Sequence, residues 1–404
     1  MPASTAQATT DDRGRSPLRP LVATTFLIYF GWGLTAPVLP LFGRDLGAGE
    51  AAVGLLVASF SVASFSFDIA GGRISDRVGA RRAAAGGAFL VGIAGILAAL
   101  APGFGLLLFS RLLAGVGSAF YVTTAMNVIA RTTAPERMGR SMSIYQGAIL
   151  SSMAIGPAIG GLMAEVIGFR LPFALYGLCA ILCMAVAWQT LPMRLPRPLK
   201  HMNSAESFTG VLRDSAFLTA LAVAFAVFIM RAGVTSTTVP LYANESLGLS
   251  QAFVGLALTV SAIANLIWLP SAGRLADRRP RRIATMLGLA LALAGLALLA
   301  TGSGSTGLYV AMILTGSSTA FAGVTPAAII SDVAPPAQSG TALGMYRMAV
   351  DGASIVAPIS AGVVAAAAGY RAVFLAFMLP LLLVLAASAT LRDTRRRAAS
   401  SSIT

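Results

Sequence analysis

The sequence predicts an all-α membrane protein, with twelve transmembrane helices arranged as two pseudo-symmetric six-helix bundles. Composition is the first ground: 56% of the 404 residues are hydrophobic and 11% charged, too little polar surface for a soluble chain of this length. The count of apolar stretches is the second. A bilayer core takes roughly 20 apolar residues per helix, and such runs begin near Leu21, Ala51, Ala83, Phe104, Ser141, Leu171, Ser215, Ala252, Ile283, Gly307, Thr341 and Ala372. They are long and rich in Ala, Leu and Gly. A β-barrel would instead show alternating segments of about ten residues and is set aside.

The third ground is internal repetition. A shift of 201 positions lays Val53-Gly54 on Val254-Gly255, Gly72 on Gly273, Asp76-Arg77 on Asp277-Arg278, Gly115 on Gly316, Tyr145 on Tyr346 and Pro157 on Pro358. Near the first span the shift is 200, placing Pro40-Leu41-Phe42 on Pro240-Leu241-Tyr242. Each half is therefore one copy of a six-span unit, a pattern that marks membrane transporters. The expected organisation is a tail over 1–20, a bundle over 21–191, a linker over 192–214, a second bundle over 215–391 and a tail over 392–404.

The net charge of +14 raises the question of nucleic acid, and the placement of the charges answers it. Of 29 Lys and Arg residues, 23 fall in the tails and loops on the side that holds both termini, whereas the opposite side holds Arg44, Arg170 and Arg371. The positive-inside rule puts that richer side, and both termini, in the cytoplasm. No nucleic-acid partner is called for. Residues 1–20 are polar and do not read as a cleavable signal. Arg outnumbers Lys 28 to 1, which associates the chain with a GC-rich bacterial genome and a plasma membrane; a monomer is expected.

Chemistry of the hydrolytic or metal-dependent kind has nothing to stand on. Cys179 and Cys183 lie four apart on one helix face, where they cannot pair with each other, and they read as small apolar filler. His201, the only histidine, sits in the linker without convergent ligands. With no metal cluster, no Ser/His couple and no Gly-rich phosphate loop followed by Lys-Ser/Thr, an enzyme is not expected, and no cofactor beyond an ion gradient is implied.

The loop after the second span reads Gly72-Arg73-Ile74-Ser75-Asp76-Arg77-Val78-Gly79-Ala80-Arg81-Arg82, and its copy begins Gly273-Arg274-Leu275-Ala276-Asp277-Arg278-Arg279-Pro280. This resembles the signature loop of the major facilitator superfamily. A small first residue permits close helix approach, and the acid four positions on can face a neighbouring helix N-terminus, near Thr341 or Ser141. The resemblance implies a conformational latch for Asp76 and Arg77, with Gly79 and Arg81 completing it and Gly273, Asp277 and Arg278 as the second copy. Pro280 departs from the pattern, where glycine is expected. A purely structural role for the loop is the alternative.

Two further stretches are similar to motifs of drug:proton antiporters in that superfamily. In the fifth span Gly147 precedes Gly156-Pro157-Ala158-Ile159-Gly160-Gly161, and the fourth span carries Arg111-Leu112-Leu113-Ala114-Gly115-Val116-Gly117. Proline bends a helix and glycines let a partner pack closely. Ala36-Pro37-Val38-Leu39-Pro40 resembles the group's first-span ending, although this span lacks the acid many relatives place there.

Charges present in one half only are candidates for coupling and cargo. Asp68 falls on Leu269, Arg111 on Met312, Arg347 on Gln146, Asp351 on Leu150 and Arg231 near Gly31. A buried membrane charge costs about 3 kcal/mol even on lenient scales, so each demands a partner, a wet cavity or a task. Arg347 and Asp351 share a helix face. They form an internal ion pair, or, should Asp68 approach them as the family fold implies, two acids sharing one arginine leave one carboxylate able to carry a proton. Arg111 and Arg231 facing a cavity would favour an anionic or carbonyl-rich cargo; the alternatives are that Thr35 and its neighbours hold Arg111 and that Glu165 holds Arg231. Tyr29, Trp32, Tyr121, Phe228, Asn265 and Trp268 are candidate cavity lining.

The expected function is secondary active export of small, partly hydrophobic organic compounds by proton antiport, with two bundles giving alternating access. An uptake symporter on the same fold, or a non-transporting membrane sensor, are the alternatives.

Overall fold

The computed structural model describes residues 18–134, 137–193, 214–334, 338–391 and 394. His201, and all but the edges of the expected tails and linker, lie outside the described residues. Among the described residues twelve helical elements follow in order: α1 Leu18–Thr35, α2 Val38–Asp45, α3 Glu50–Val78, α4 Ala80–Ala99, α5 Phe104–Thr132, α6 Met138–Val166 and α7 Arg170–Thr190 in the first repeat, then α8 Ser215–Ser246, α9 Gln251–Arg278, α10 Arg281–Thr301, α11 Gly304–Val333 and α12 Ser339–Ala389.

Two proline-rich span ends are solved differently. In the first repeat the helix breaks at Ala36-Pro37, where proline supplies no backbone donor, and α1 and α2 meet at 44°. In the second, α8 stays continuous but widens into π-helical turns over Met230–Thr238 and Tyr242–Ser246. Thr237 and Thr238 steady the first of these by donating to the carbonyls of Ala232 and Gly233, each at 2.8 Å.

Ten of these helices are long and apolar enough to cross a membrane, or eleven if the bent pair is one span. The longest, α12, has 51 residues and changes direction at Gly369, whose φ of +79° is a left-handed conformation that glycine alone adopts readily. At about 1.5 Å per residue its length would be more than twice a bilayer core, so the break divides it into two spans. The large apolar side chains left exposed, such as Leu100, Val166, Ile167 and Leu383, are those a lipid-solvated surface requires.

Contacts divide the chain into two compact units, Met1–Ala36 with Ser59–His201 and Pro37–Ala58 with Met202–Thr404. The second unit thus includes α2 and the first turns of α3, which the sequence repeat counts with the first half. Inside the first unit α4 packs on α5 and α7, and α1 on α6 and α7; inside the second, α10 packs on α11 and α12, and α8 on α12. One crossing shows how the repeat enforces this. A Cβ on Gly115 would stand 2.4 Å from the carbonyl oxygen of Phe60, and a Cβ on Gly316 would stand 2.1 Å from that of Ser261. Both pairs are 201 apart, so the same backbone contact is made twice, and any side chain at either glycine would force the helices apart.

Candidate functional site

The first loop copy lies at the end of α3. Asp76 Oδ1 accepts from Arg131 Nη2 of α5 at 2.8 Å, with the acid 47% and the arginine 17% exposed. Gly79 has φ +89° and ψ 154°, a region essentially reserved for glycine, and a Cβ there would lie 2.0 Å from the carbonyl oxygen of Met193. Arg81 completes this corner: its backbone N–H donates to Pro192 O at 3.2 Å and its Nε to Leu191 O at 2.7 Å. Gly72 lies within α3, and Arg77 is exposed at its end. The loop therefore ties the adjoining ends of α3 and α4 to the ends of α5 and α7 within one unit.

The second copy is built otherwise. Arg281 stands between two acids, with Nη1 3.1 Å from Asp277 Oδ1 and Nε 3.2 Å from Asp332 Oδ2. Nη1 also donates to Ala276 O, and Thr394 donates to Asp332 at 2.9 Å. Arg278 is exposed. Gly273 departs from the expectation of close helix approach: a Cβ there would meet nothing within 4 Å.

The fifth-span motif packs α6 on α1. A Cβ on Gly156 would be 2.8 Å from Gly33 Cα, and one on Gly160 only 1.9 Å from Leu34 O; Pro157 and Gly161 are buried beside them. Gly147 does not share in this, since open space surrounds its Cβ direction. The close contact is thus confined to one turn and a half.

Arg111 is 5% exposed, lies 5.0 Å from the centroid of the Phe60 ring, and its Nε makes no hydrogen bond. Thr35, the expected neighbour, donates its hydroxyl to Trp32 O at 2.9 Å. Arg231 sits in the π-helical part of α8, 5.9 Å from the Phe228 ring centroid. Arg347 and Asp351 meet within α12 at 3.6 Å, as their spacing predicts. Asp68 is half-buried on α3, in the first unit.

Among the candidate lining residues, Tyr121 is corrected. It is wholly buried in the first unit's core, and its hydroxyl meets Thr24 at 2.8 Å and Thr25 at 3.1 Å, so it is a packing residue whose polar end is satisfied by α1. Trp32 packs against Val91, Tyr176 and Ala180, and Tyr29 against the cluster around Tyr121. Asn265 is half-buried; Trp268 is 44% exposed with its ring 5.9 Å from that of Phe321.

One cluster escaped the sequence reading. Arg44 Nε is 2.6 Å from Glu245 Oε1, Arg44 Nη2 is 3.3 Å from Glu50, and the Tyr370 hydroxyl donates to Glu245 Oε2 at 2.5 Å. All four residues belong to the second unit. The signal was available: Glu245 is 201 positions beyond Arg44.

These features define a multi-pass helical membrane protein with duplicated bundles and charges inside its spans, and the described residues hold no group of three metal-ligating side chains. The Major Facilitator Superfamily model matches residues 21–250 and 217–403, and the chain belongs to the major facilitator superfamily. It is a transporter, not an enzyme. An uncharacterised MFS-type transporter of Methanocaldococcus jannaschii is 25% identical over 351 residues, covering 85% of this chain and 89% of its own. Quinolone resistance protein NorA of Staphylococcus aureus is 31% identical over 162 residues, covering 40% and 42%. A peptide transporter structure superposes with a TM-score of 0.78 at 16% identity, covering 94% of this chain and 95% of that one. A bacterial homologue of the human lysosomal transporter Spinster gives 0.74 at 16%, covering 95% and 97%. At such identities the two structures speak for the fold alone.

Proposed function

We propose that this transporter exports small, partly hydrophobic organic compounds in exchange for protons across a bacterial plasma membrane, as a monomer with both termini in the cytoplasm. The observation that carries the reading is the α1–α6 contact. The Gly156-Pro157 to Gly160-Gly161 stretch, similar to the antiporter motif, is used as backbone-to-backbone packing against Gly33 and Leu34. The partial similarity to a quinolone resistance protein points the same way. An ion gradient supplies the energy and no cofactor is called for. Asp68 and Asp351, the latter held by Arg347, are the proton-carrying candidates. Arg111 and Arg231, each with its guanidinium set against an aromatic ring, suit cargo bearing a carboxylate or carbonyl.

The test is accumulation of anionic, neutral and cationic fluorescent compounds in an efflux-deficient bacterium expressing the protein, with and without a protonophore. Lower accumulation that the protonophore abolishes is expected. Higher accumulation in expressing cells would replace export by uptake. Asp68→Asn and Asp351→Asn are then assayed separately, and proton-driven export unchanged in both would remove the carrier assignment.

A further inference from the structure

At the heads of α1 and α6 a cavity of about 700 Å³ opens within the first unit, a size typical of ligand sites. Arg19, Arg137 and Arg140 line it with Ser141, over an apolar wall of Leu18, Val22 and Ile144. The α6 residues 137, 140, 141 and 144 recur at helical spacing and so form one stripe. Among the described residues none of the three arginine side chains has an ion pair or hydrogen bond, and no Asp or Glu lines the cavity. Arg137 is the α6 N-cap and its side chain makes no capping hydrogen bond, so the positive end of that helix's dipole lies beside the cavity.

All three arginines are exposed, so water and salt screen their mutual repulsion, and a multivalent anion that engages all three together is what their convergence favours. Guanidinium groups match phosphate oxygens by paired N–H donors. The cavity also lies on the side that the distribution of Lys and Arg assigns to the cytoplasm, where anionic headgroups meet basic pockets between transmembrane helices. The apolar wall continues from the arginines along α1 and α6, as glycerol and the first acyl carbons require.

We propose that this cavity binds a phosphate-bearing anion, the headgroup of an anionic glycerophospholipid. The assignment does not depend on which cargo is moved. Delipidated full-length protein is titrated with phosphatidylglycerol, phosphatidylcholine or inorganic phosphate. Binding is read by native mass spectrometry and by thermal unfolding in vesicles of phosphatidylcholine with or without one-quarter phosphatidylglycerol. Phosphatidylglycerol is expected to bind and to raise the melting temperature. Arg19→Gln/Arg137→Gln/Arg140→Gln weakens that binding on the order of a hundredfold while melting as the native chain does in phosphatidylcholine alone. Neutralising three exposed arginines elsewhere, Arg73, Arg82 and Arg279, retains the lipid effect. Protection by inorganic phosphate that the cavity variant alone loses would assign the same site to a soluble phosphate compound. Equal phosphatidylglycerol binding in the native chain and the cavity variant, or an equal loss in the control variant, would overturn the proposal.

Discussion

Asp76 and Arg131 in the first unit stand where Asp277 and Asp332 stand in the second, 201 positions on. The positions are inherited and the charge at the second of them is reversed. Two acids cannot tie α9 to α11 by themselves, and Arg281, which falls on Ala80 of the first copy, supplies the missing cation. The backbone follows. In the first copy the corner depends on Gly79 at φ +89° and on Arg81 reaching the end of α7; in the second, Pro280 at φ −49° suffices because Arg281 does the joining. Burial differs at the two ion pairs: Arg131, 17% exposed, meets an acid 47% exposed, whereas Arg281 and Asp332 are both 13% exposed and only the second acid, Asp277, is open to solvent at 75%. The first copy is thus a loosely held pair that can be exchanged at low cost, and the second is a clamp. A duplicated motif can therefore keep its place and divide its labour.

The largest effect separating the two is expected for Arg281→Ala, which leaves Asp332 uncompensated in a partly buried setting and costs about 3 kcal/mol. Arg131→Ala, opposite the more exposed acid, costs under about 1 kcal/mol. Thermal unfolding in detergent measures both, and equal losses would break the comparison. Next, Gly79→Ala should cost about 2 kcal/mol through backbone strain, against a change within about 0.5 kcal/mol for Pro280→Ala. Rebuilding the first copy's pair in the second, with Arg281→Ala and Asp332→Arg together, should recover half or more of the Arg281→Ala loss in the same measurement. The smallest change in stability, under about 0.5 kcal/mol, is expected for Asp76→Asn. Its transport rate should nonetheless fall severalfold if the exposed pair is a latch; an unchanged rate in vesicles would make the loop purely structural.

The spans were legible because hydropathy reports burial in lipid directly. The starts near Phe104 and Ser215 coincide with the helix starts, whereas others were set a few residues late, at Leu21 rather than Leu18 and Ile283 rather than Arg281, since the polar first turns of a helix at a membrane surface resemble loop. Glycine motifs were legible where they mark backbone contact, as at Gly156 and Gly160. The same reading failed at Gly147 and Gly273, because a glycine in a pattern does not say that a neighbour comes near. Tyr121 was misread since aromatic content cannot tell a cavity wall from a core; the hydroxyls of Thr24 and Thr25 decide it. The Arg44–Glu245 contact was missed because the search for unmatched charge was confined to the spans, and both residues lie at span ends.

Pro37–Ala58 is translated early yet takes its place in the unit built from Met202–Thr404. Its contacts include residues much further along the chain: a Cβ on Gly54 would lie 2.2 Å from Pro358 O, and one on Gly362 would lie 2.5 Å from Glu50 O. Chains of this size fold largely in order of emergence, but here the part of α12 before Gly369 must be present before α2 and the head of α3 find their seat. A nascent chain halted in the linker would carry that segment as an unfilled half of a later assembly. Assembly of the second unit accordingly waits on α12, whose arrival is what seats α2 and the head of α3.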